Sequence, residues 1–248
     1  MSYISTMAVN EGIIMLADMQ VIRGQTEYKA PSIATTSYHK LFSIGDNIGI
    51  AICTNNSFTR RTQSYSQLIK EFCNDNVFQY PHDAAIELQN YLSKVSCSYE
   101  QLQQYGEDQY VIHVAGYNKP DTPTNGFIHT DGVYSICTIK DMQEKKIEHK
   151  GQKGYWQCGN MIHVSQYVEK INNDKERIDR YTLQDAVDTS KAIFDVARAL
   201  EHHVDHIDTI SENFEMIAIT KDGIQWVKKH ELRIKENNNE KLEVKNDT

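Results

Sequence analysis

The order of strand and helix patterns in this 248-residue chain predicts an α+β fold: two mainly antiparallel sheets packed between helical layers. Three observations carry the prediction. Short apolar, β-branched runs are joined by tight turns rich in Gly, Asn and Asp, which favours hairpins over crossovers. Amphipathic stretches arrive in pairs, first after the second hairpin and again before the last one. The composition, 40% hydrophobic with only 4 Pro and 12 Gly, suits a sizeable core rather than a linker-rich chain.

Taken in order, Ser2 to Val9 and Gly12 to Ala17 read as strands joined at Asn10-Glu11-Gly12. Met19 to Pro31 is polar and reads as a loop with extended pieces. Tyr38 to Ile44 and Ile48 to Cys53 form a second hairpin around Gly45-Asp46-Asn47. A helix is expected over Ser57 to Phe72, with Leu68, Ile69 and Phe72 on one side. Pro81, well suited to a first helical position, opens another that holds Ile86, Leu88 and Leu92.

Strand patterns then return. Tyr110 to Tyr117 is β-branched and apolar, and Gly126 to Ile139 reads as a hairpin turning at Asp131-Gly132. The charged segment Lys140 to Lys153 is expected to protrude. Met161 to Ile171 predicts a short helix. Thr182 begins a longer one, where Asp185 takes the place of the usual Glu in a capping box. Its apolar stripe runs Leu183, Val187, Ile193, Ala197, Leu200. A final hairpin joins Phe214–Thr220 to Ile224–Val227 through Lys221-Asp222-Gly223. Residues 2–234 thus read as one domain, and 235–248 as a polar, disordered tail.

Composition also narrows function. A net charge of −8, with no basic cluster interleaved with aromatics, argues against nucleic acid. No run of eighteen apolar residues argues for a membrane span. The N-terminus lacks the basic start and apolar stretch of a signal peptide, so a cytoplasmic location is expected. Cys53, Cys73, Cys97, Cys137 and Cys158 are odd in number, scattered and without a Cys-x-x-Cys, the pattern of reduced thiols.

The chemistry concentrates near the start. Removal of Met1 would leave Ser2 as the first residue, with a free α-amine beside its hydroxyl. One residue then carries both a nucleophile and its base. An α-amine titrates near about 8, so a useful fraction is neutral at pH 7 and able to take the hydroxyl proton. Asp18, ending one strand, and Lys40, opening another, are the candidate tuning groups: an ammonium nearby disfavours charging of the amine.

Ser2 through Asp18, and Lys40-Leu41-Phe42-Ser43-Ile44 with Ile48 to Cys53, resemble a β-type proteasome subunit. The resemblance continues in Gly154 to Gln166, similar to the strand-turn-helix carrying that family's active-site serine loop. It includes Asp208-Thr209-Ile210-Ser211, similar to its Asp-x-x-Ser element, and Ile217 to Gly223, similar to its last hairpin. It spans roughly residues 2–227.

The resemblance implies an N-terminal-nucleophile hydrolase with a four-layer αββα sandwich. Ser2 falls on the nucleophile, ten residues before Gly12, Asp18 on the first-sheet aspartate and Lys40 on the catalytic lysine. Asp208 and Ser211 fall on the pair that supports the amine, and Asn160 where the family has a supporting serine. Thr54 and Asn55 stand in the oxyanion turn in place of glycine, and Ile52 beside it is a candidate for an apolar pocket. Serine in place of threonine loses the orienting methyl. The Met-Ser start and Tyr3 are most similar to the bacterial proteasome-related proteins.

By the same resemblance the enzyme is a cofactor-independent peptidase or amidase that self-associates into rings or a related array. It would take peptides or unfolded protein, with an ATP-dependent unfoldase as possible partner. Two alternatives stand beside it: a non-catalytic scaffold subunit, and a small-molecule amidase of the same class. His202 and His206 share a helix face as metal ligands would, but the preferred reading is a polar helix end where histidines suit the dipole. No metal is expected.

Overall fold

Two buried strands on either side of a tight turn form the first hairpin. β1 (Tyr3–Ala8) and β2 (Ile13–Asp18) pair antiparallel with Met7 opposite Ile14, and Val9 N–H donates to Gly12 O at 2.9 Å to close the turn. Every residue of both strands is buried, because each face has a layer against it. The computed structural model describes residues 3–23, 32–35, 38–54, 64–95, 110–118, 122–127, 153–159, 163–205 and 208–229.

Two further antiparallel pairings extend this hairpin. β9 (Gly154–Gly159) lies along β1, while β10 (Phe214–Thr220) lies along β2 and carries β11 (Gly223–Lys228) outside it. The five-stranded sheet therefore runs β11-β10-β2-β1-β9. A second sheet, β5-β6-β7-β8, is built from β5 (Leu41–Ile44), β6 (Ile48–Thr54), β7 (Tyr110–Asn118) and β8 (Thr122–Phe127). β3 (Val21–Arg23) and β4 (Ser32–Thr35) form a small ribbon between them in sequence. Gly45 turns the β5–β6 hairpin at φ 54, a left-handed conformation that suits glycine.

The two large sheets face each other. Ile4, Ala8, Ile13, Met15, Ala17, Ile217 and Ile219 from one meet Leu41, Ala51, Cys53 and Ala115 from the other. A Cβ at Gly49 would meet Met15 Sδ at 2.6 Å and Ile217 Cδ1 at 2.7 Å, so glycine is what lets the sheets close there. The opposite faces carry helices. α1 (Tyr65–Asp75) and α2 (Pro81–Val95) cover Ile48, Ile50, Ile52, Ile112 and Val114. α3 (Ser165–Asn173), the one-turn α4 (Lys175–Ile178) and α5 (Leu183–Leu200) follow β9, and α5 covers Met7, Ile14, Leu16 and Met216. No helix among the described residues is long and apolar enough to cross a membrane.

Some boundaries differ from the sequence expectation. The first helix begins at Tyr65, not Ser57. Ser64 is extended (φ −74, ψ 150) and acts as N-cap, closing a capping box with Gln67 that ends helix propagation backwards. The third begins at Ser165 rather than Met161. β5 begins at Leu41, so Tyr38, His39 and Lys40, expected within or opening the strand, precede it. On α5 the Thr182–Asp185 capping box forms, but the buried face is Ala186, Ser190, Ile193, Phe194 and Ala197, with Leu183 and Val187 only partly covered. Gly126 belongs to β8, and the expected turn at Asp131-Gly132, the segment 140–152 and the tail 235–248 lie outside the described residues.

Candidate functional site

Three backbone segments meet at one carboxylate. Asp18 closes β2 opposite Phe214, and its Oδ1 accepts from Tyr3 N at 2.7 Å and from Lys40 Nζ at 2.7 Å. Its Oδ2 accepts from Gln20 N at 3.0 Å. Lys40 Nζ also donates to Gln20 O at 2.5 Å. Neither Lys40 nor Asp18 has exposed side-chain surface. Two opposite charges withdrawn from water are tolerable only when paired and hydrogen-bonded, and here both conditions hold.

The approach of Lys40 follows from its neighbours. Tyr38 N donates to Met19 O at 2.9 Å and Ile52 N to Lys40 O at 2.9 Å, which ties the stretch before β5 both to the end of β2 and to β6. Ile52 itself points into the closed cluster under α1 and α2 with no exposed surface. Thr54 ends β6 opposite Tyr110. Ser2, Asn55 and Asn160 lie outside the described residues.

Tyr3 anchors the strand that follows position 2. Its hydroxyl is 2.8 Å from that of Tyr155, donates to Gln157 Oε1 at 3.2 Å, and its ring meets Phe194 edge-on at 5.5 Å. Burial pushes the Tyr3 hydroxyl well above its ordinary titration range, and likewise carries Tyr155 up to about 12. Cys53 shifts the other way. A hydrogen bond from Cys158 holds its thiol down, and the Lys40 ammonium helps, against burial and the Asp18 charge.

Asp208 and Ser211 occupy the loop before β10. The Asp208 carboxylate pairs with His202 Nδ1 at 2.7 Å, while its carbonyl accepts from the Gln20 side chain. Ser211 is buried and its Oγ accepts from Asn213 N at 2.9 Å. Asp18 and Lys40 are thus brought into direct contact, whereas Asp208 joins them through Gln20. A cleft of about 430 Å³ opens beside this loop, lined by Gln20, Arg198, His202, Asp208, Ser211 and Asn213 among others. His202 sits on a π-helical turn, Glu201–Asp205, and among the described residues no group of three or more metal-binding side chains assembles around it.

Two residues absent from the sequence-derived set hold this arrangement. Gln20 uses N–H, C=O and side-chain amide to connect Asp18, Lys40 and Asp208. Glu201 is buried and its Oε2 accepts from Thr209 N at 2.9 Å and Ile210 N at 2.8 Å, which fixes the Asp208–Ser211 loop against α5. The signal for Gln20 was its position two residues beyond Asp18. Glu201 carried none, since an acid at a helix C-terminus is ordinarily unfavourable and solvated. No protein-family model matches this chain, and no curated protein matches it.

Proposed function

We propose that the protein is an N-terminal-nucleophile hydrolase of the proteasome type, a four-layer αββα sandwich that cleaves peptide bonds through Ser2 once Met1 is removed. The observation that supports this reading is the shared oxygen of Asp18: the Tyr3 N–H, part of the peptide unit begun by Ser2, and the Lys40 ammonium both end on Oδ1 at 2.7 Å. An aligned, dry ammonium beside the first peptide unit is what a terminal amine needs to remain neutral.

In the proposed reaction the neutral α-amine takes the Ser2 hydroxyl proton as oxygen attacks the scissile carbonyl. The amine then passes that proton to the departing amine, leaving an ester on Ser2. Water, deprotonated by the same α-amine, hydrolyses the ester and restores the serine. Lys40, held by Asp18 and the Gln20 carbonyl, keeps positive potential over the site. A backbone N–H in the turn beyond Cys53, at Thr54 or Asn55, is the candidate donor to the tetrahedral oxyanion. Self-association into rings or a related array would enclose such sites, with peptides or unfolded chains as substrate and an ATP-dependent unfoldase as feeder.

The test combines intact mass with an acyl-trapping probe such as a fluorophosphonate. The expected result is loss of Met1, one adduct per chain mapped to Ser2, and hydrolysis of fluorogenic peptides that Ser2→Ala abolishes. Retained Met1 with no adduct overturns the reading in favour of a non-catalytic scaffold. Adduct formation with cleavage of small amides but not peptides moves it to a small-molecule amidase.

A further inference from the structure

We propose that Cys53 and Cys158 form a two-thiol modification site between the sheets, which hydroperoxides convert reversibly to a disulfide joining β6 to β9. Both thiols are reduced in the structure. Cys53 lies on the inner face of β6, in the cluster between the sheets, and Cys158, on β9, packs against that same cluster. Cys158 stands opposite Ile4 across the β1–β9 pairing, and Ile4 and Cys53 share the cluster between the sheets, so two residues 105 apart in sequence come together in one buried layer, where a hydrogen bond from Cys158 holds the Cys53 thiol down. Sandwich folds accept a disulfide between facing sheets, as in immunoglobulin domains.

Environment divides the roles. Cys53 is almost fully covered, at 5% exposed, and its thiol is held below the ordinary range first by Cys158 and then by the Lys40 ammonium, against burial and the Asp18 charge. Cys158 is half-buried and supplies the second thiol. Cys73, on α1 and packed against the cluster beneath it, is the internal contrast: burial alone acts on it and raises its thiol to about 12.

The steps balance with a small peroxide as oxidant. The Cys53 thiolate attacks one peroxide oxygen, the O–O bond breaks and hydroxide leaves, giving a sulfenic acid. The Cys158 sulfur then attacks the Cys53 sulfur, and the sulfenic oxygen departs as water. Two thiols and one hydrogen peroxide yield one disulfide and two waters. A dithiol reductant reverses the change by thiol–disulfide exchange. The covalent bond ties β6 and β9 together beside the Lys40–Asp18 pair.

The experiment treats the full-length protein with graded hydrogen peroxide, quenches in acid, alkylates with N-ethylmaleimide under denaturing conditions and maps the peptides by mass. Cys53 and Cys158 are expected to lose alkylation in step, replaced by one joined peptide two hydrogens lighter than its parts. Dithiothreitol should restore both, while Cys73 stays alkylated throughout. In Cys158→Ser the joined peptide should vanish and Cys53 should stop at a dimedone-reactive sulfenic acid. Persistent alkylation of both thiols, separate overoxidation, or linkage of Cys53 to another cysteine in natively folded protein overturns the proposal. Should Cys158→Ser not fold, the wild-type peptide map decides alone. The readout is thiol chemistry, so it stands apart from the outcome of the Ser2 test.

Discussion

Asp18 and Lys40, twenty-two residues apart in sequence, share a 2.7 Å ion pair in which neither side chain meets solvent. Removing one partner strands the other charge in a dry interior. Asp18→Asn should therefore destabilise the protein by about 3–5 kcal/mol. The double variant Asp18→Asn/Lys40→Met should recover much of that loss, since it removes the orphaned charge. Urea denaturation of the two single variants and the double completes the cycle. Equal stability of Asp18→Asn and wild type would mean the pair is wetter than its geometry implies.

At position 2 the proposed mechanism sets a direction for a conservative change. Ser2→Thr returns the orienting methyl, so peptide turnover should equal or exceed that of the wild type. Lys40→Ala should lower kcat by about 10²–10⁴, the range expected when proton transfer loses its tuning group. A fluorogenic peptide assay on protein of verified N-terminus checks both. A Ser2→Thr enzyme markedly slower than wild type would count against the terminal residue as nucleophile.

Glu201 holds the Asp208–Ser211 loop through two backbone N–H groups and the Thr209 hydroxyl. Glu201→Ala leaves buried donors unsatisfied and should cost about 2–3 kcal/mol. Amide hydrogen exchange should speed up at Thr209 and Ile210 more than in β1 or β2. Uniform acceleration across the domain would instead assign Glu201 a purely global role.

The tyrosine pair predicts an alkaline limit. Tyr3 and Tyr155 ionise less readily folded than unfolded, Tyr155 only near about 12, so the folded state retains protons that the unfolded state releases from about pH 10 upward. Stability is then unaffected below about pH 10 and falls as pH rises from there towards 12. Tyr155→Phe should flatten that fall, at the expense of the Tyr3 hydroxyl contact. Denaturant titrations between pH 8 and pH 12, followed by tyrosinate absorbance, measure the slope; one unchanged by the variant would refute the assignment.

Several features were legible because they are local. The turn at Asn10-Glu11-Gly12, the Gly45 turn and the Thr182–Asp185 capping box each depend on a few adjacent residues, and each formed. The Ser64–Gln67 box was equally readable from its spacing, yet the apolar period of the helix drew attention past it. The stripe on α5 was partly misjudged for a related reason. Small residues such as Ala186 and Ser190 contribute little to an apolar count but are buried on the covered face.

The site divides along the same line. Residue types and their order marked Asp18 and Lys40, because charge is written into single positions, while Asp208 and Ser211 were marked only through the resemblance to proteasome subunits. Their relations were not so written. That Gln20 links Asp18, Lys40 and Asp208, that the Asp208 carboxylate turns to His202, that Ile52 faces the helices and that Cys53 and Cys158 share the cluster between the sheets all depend on how strands distant in sequence are ordered and which face each presents. Local propensity specifies hairpins and caps within a few residues. Only burial of both sheet faces at once selects the pairing that carries β10 beside β2 and β9 beside β1, and with it the distances on which chemistry depends.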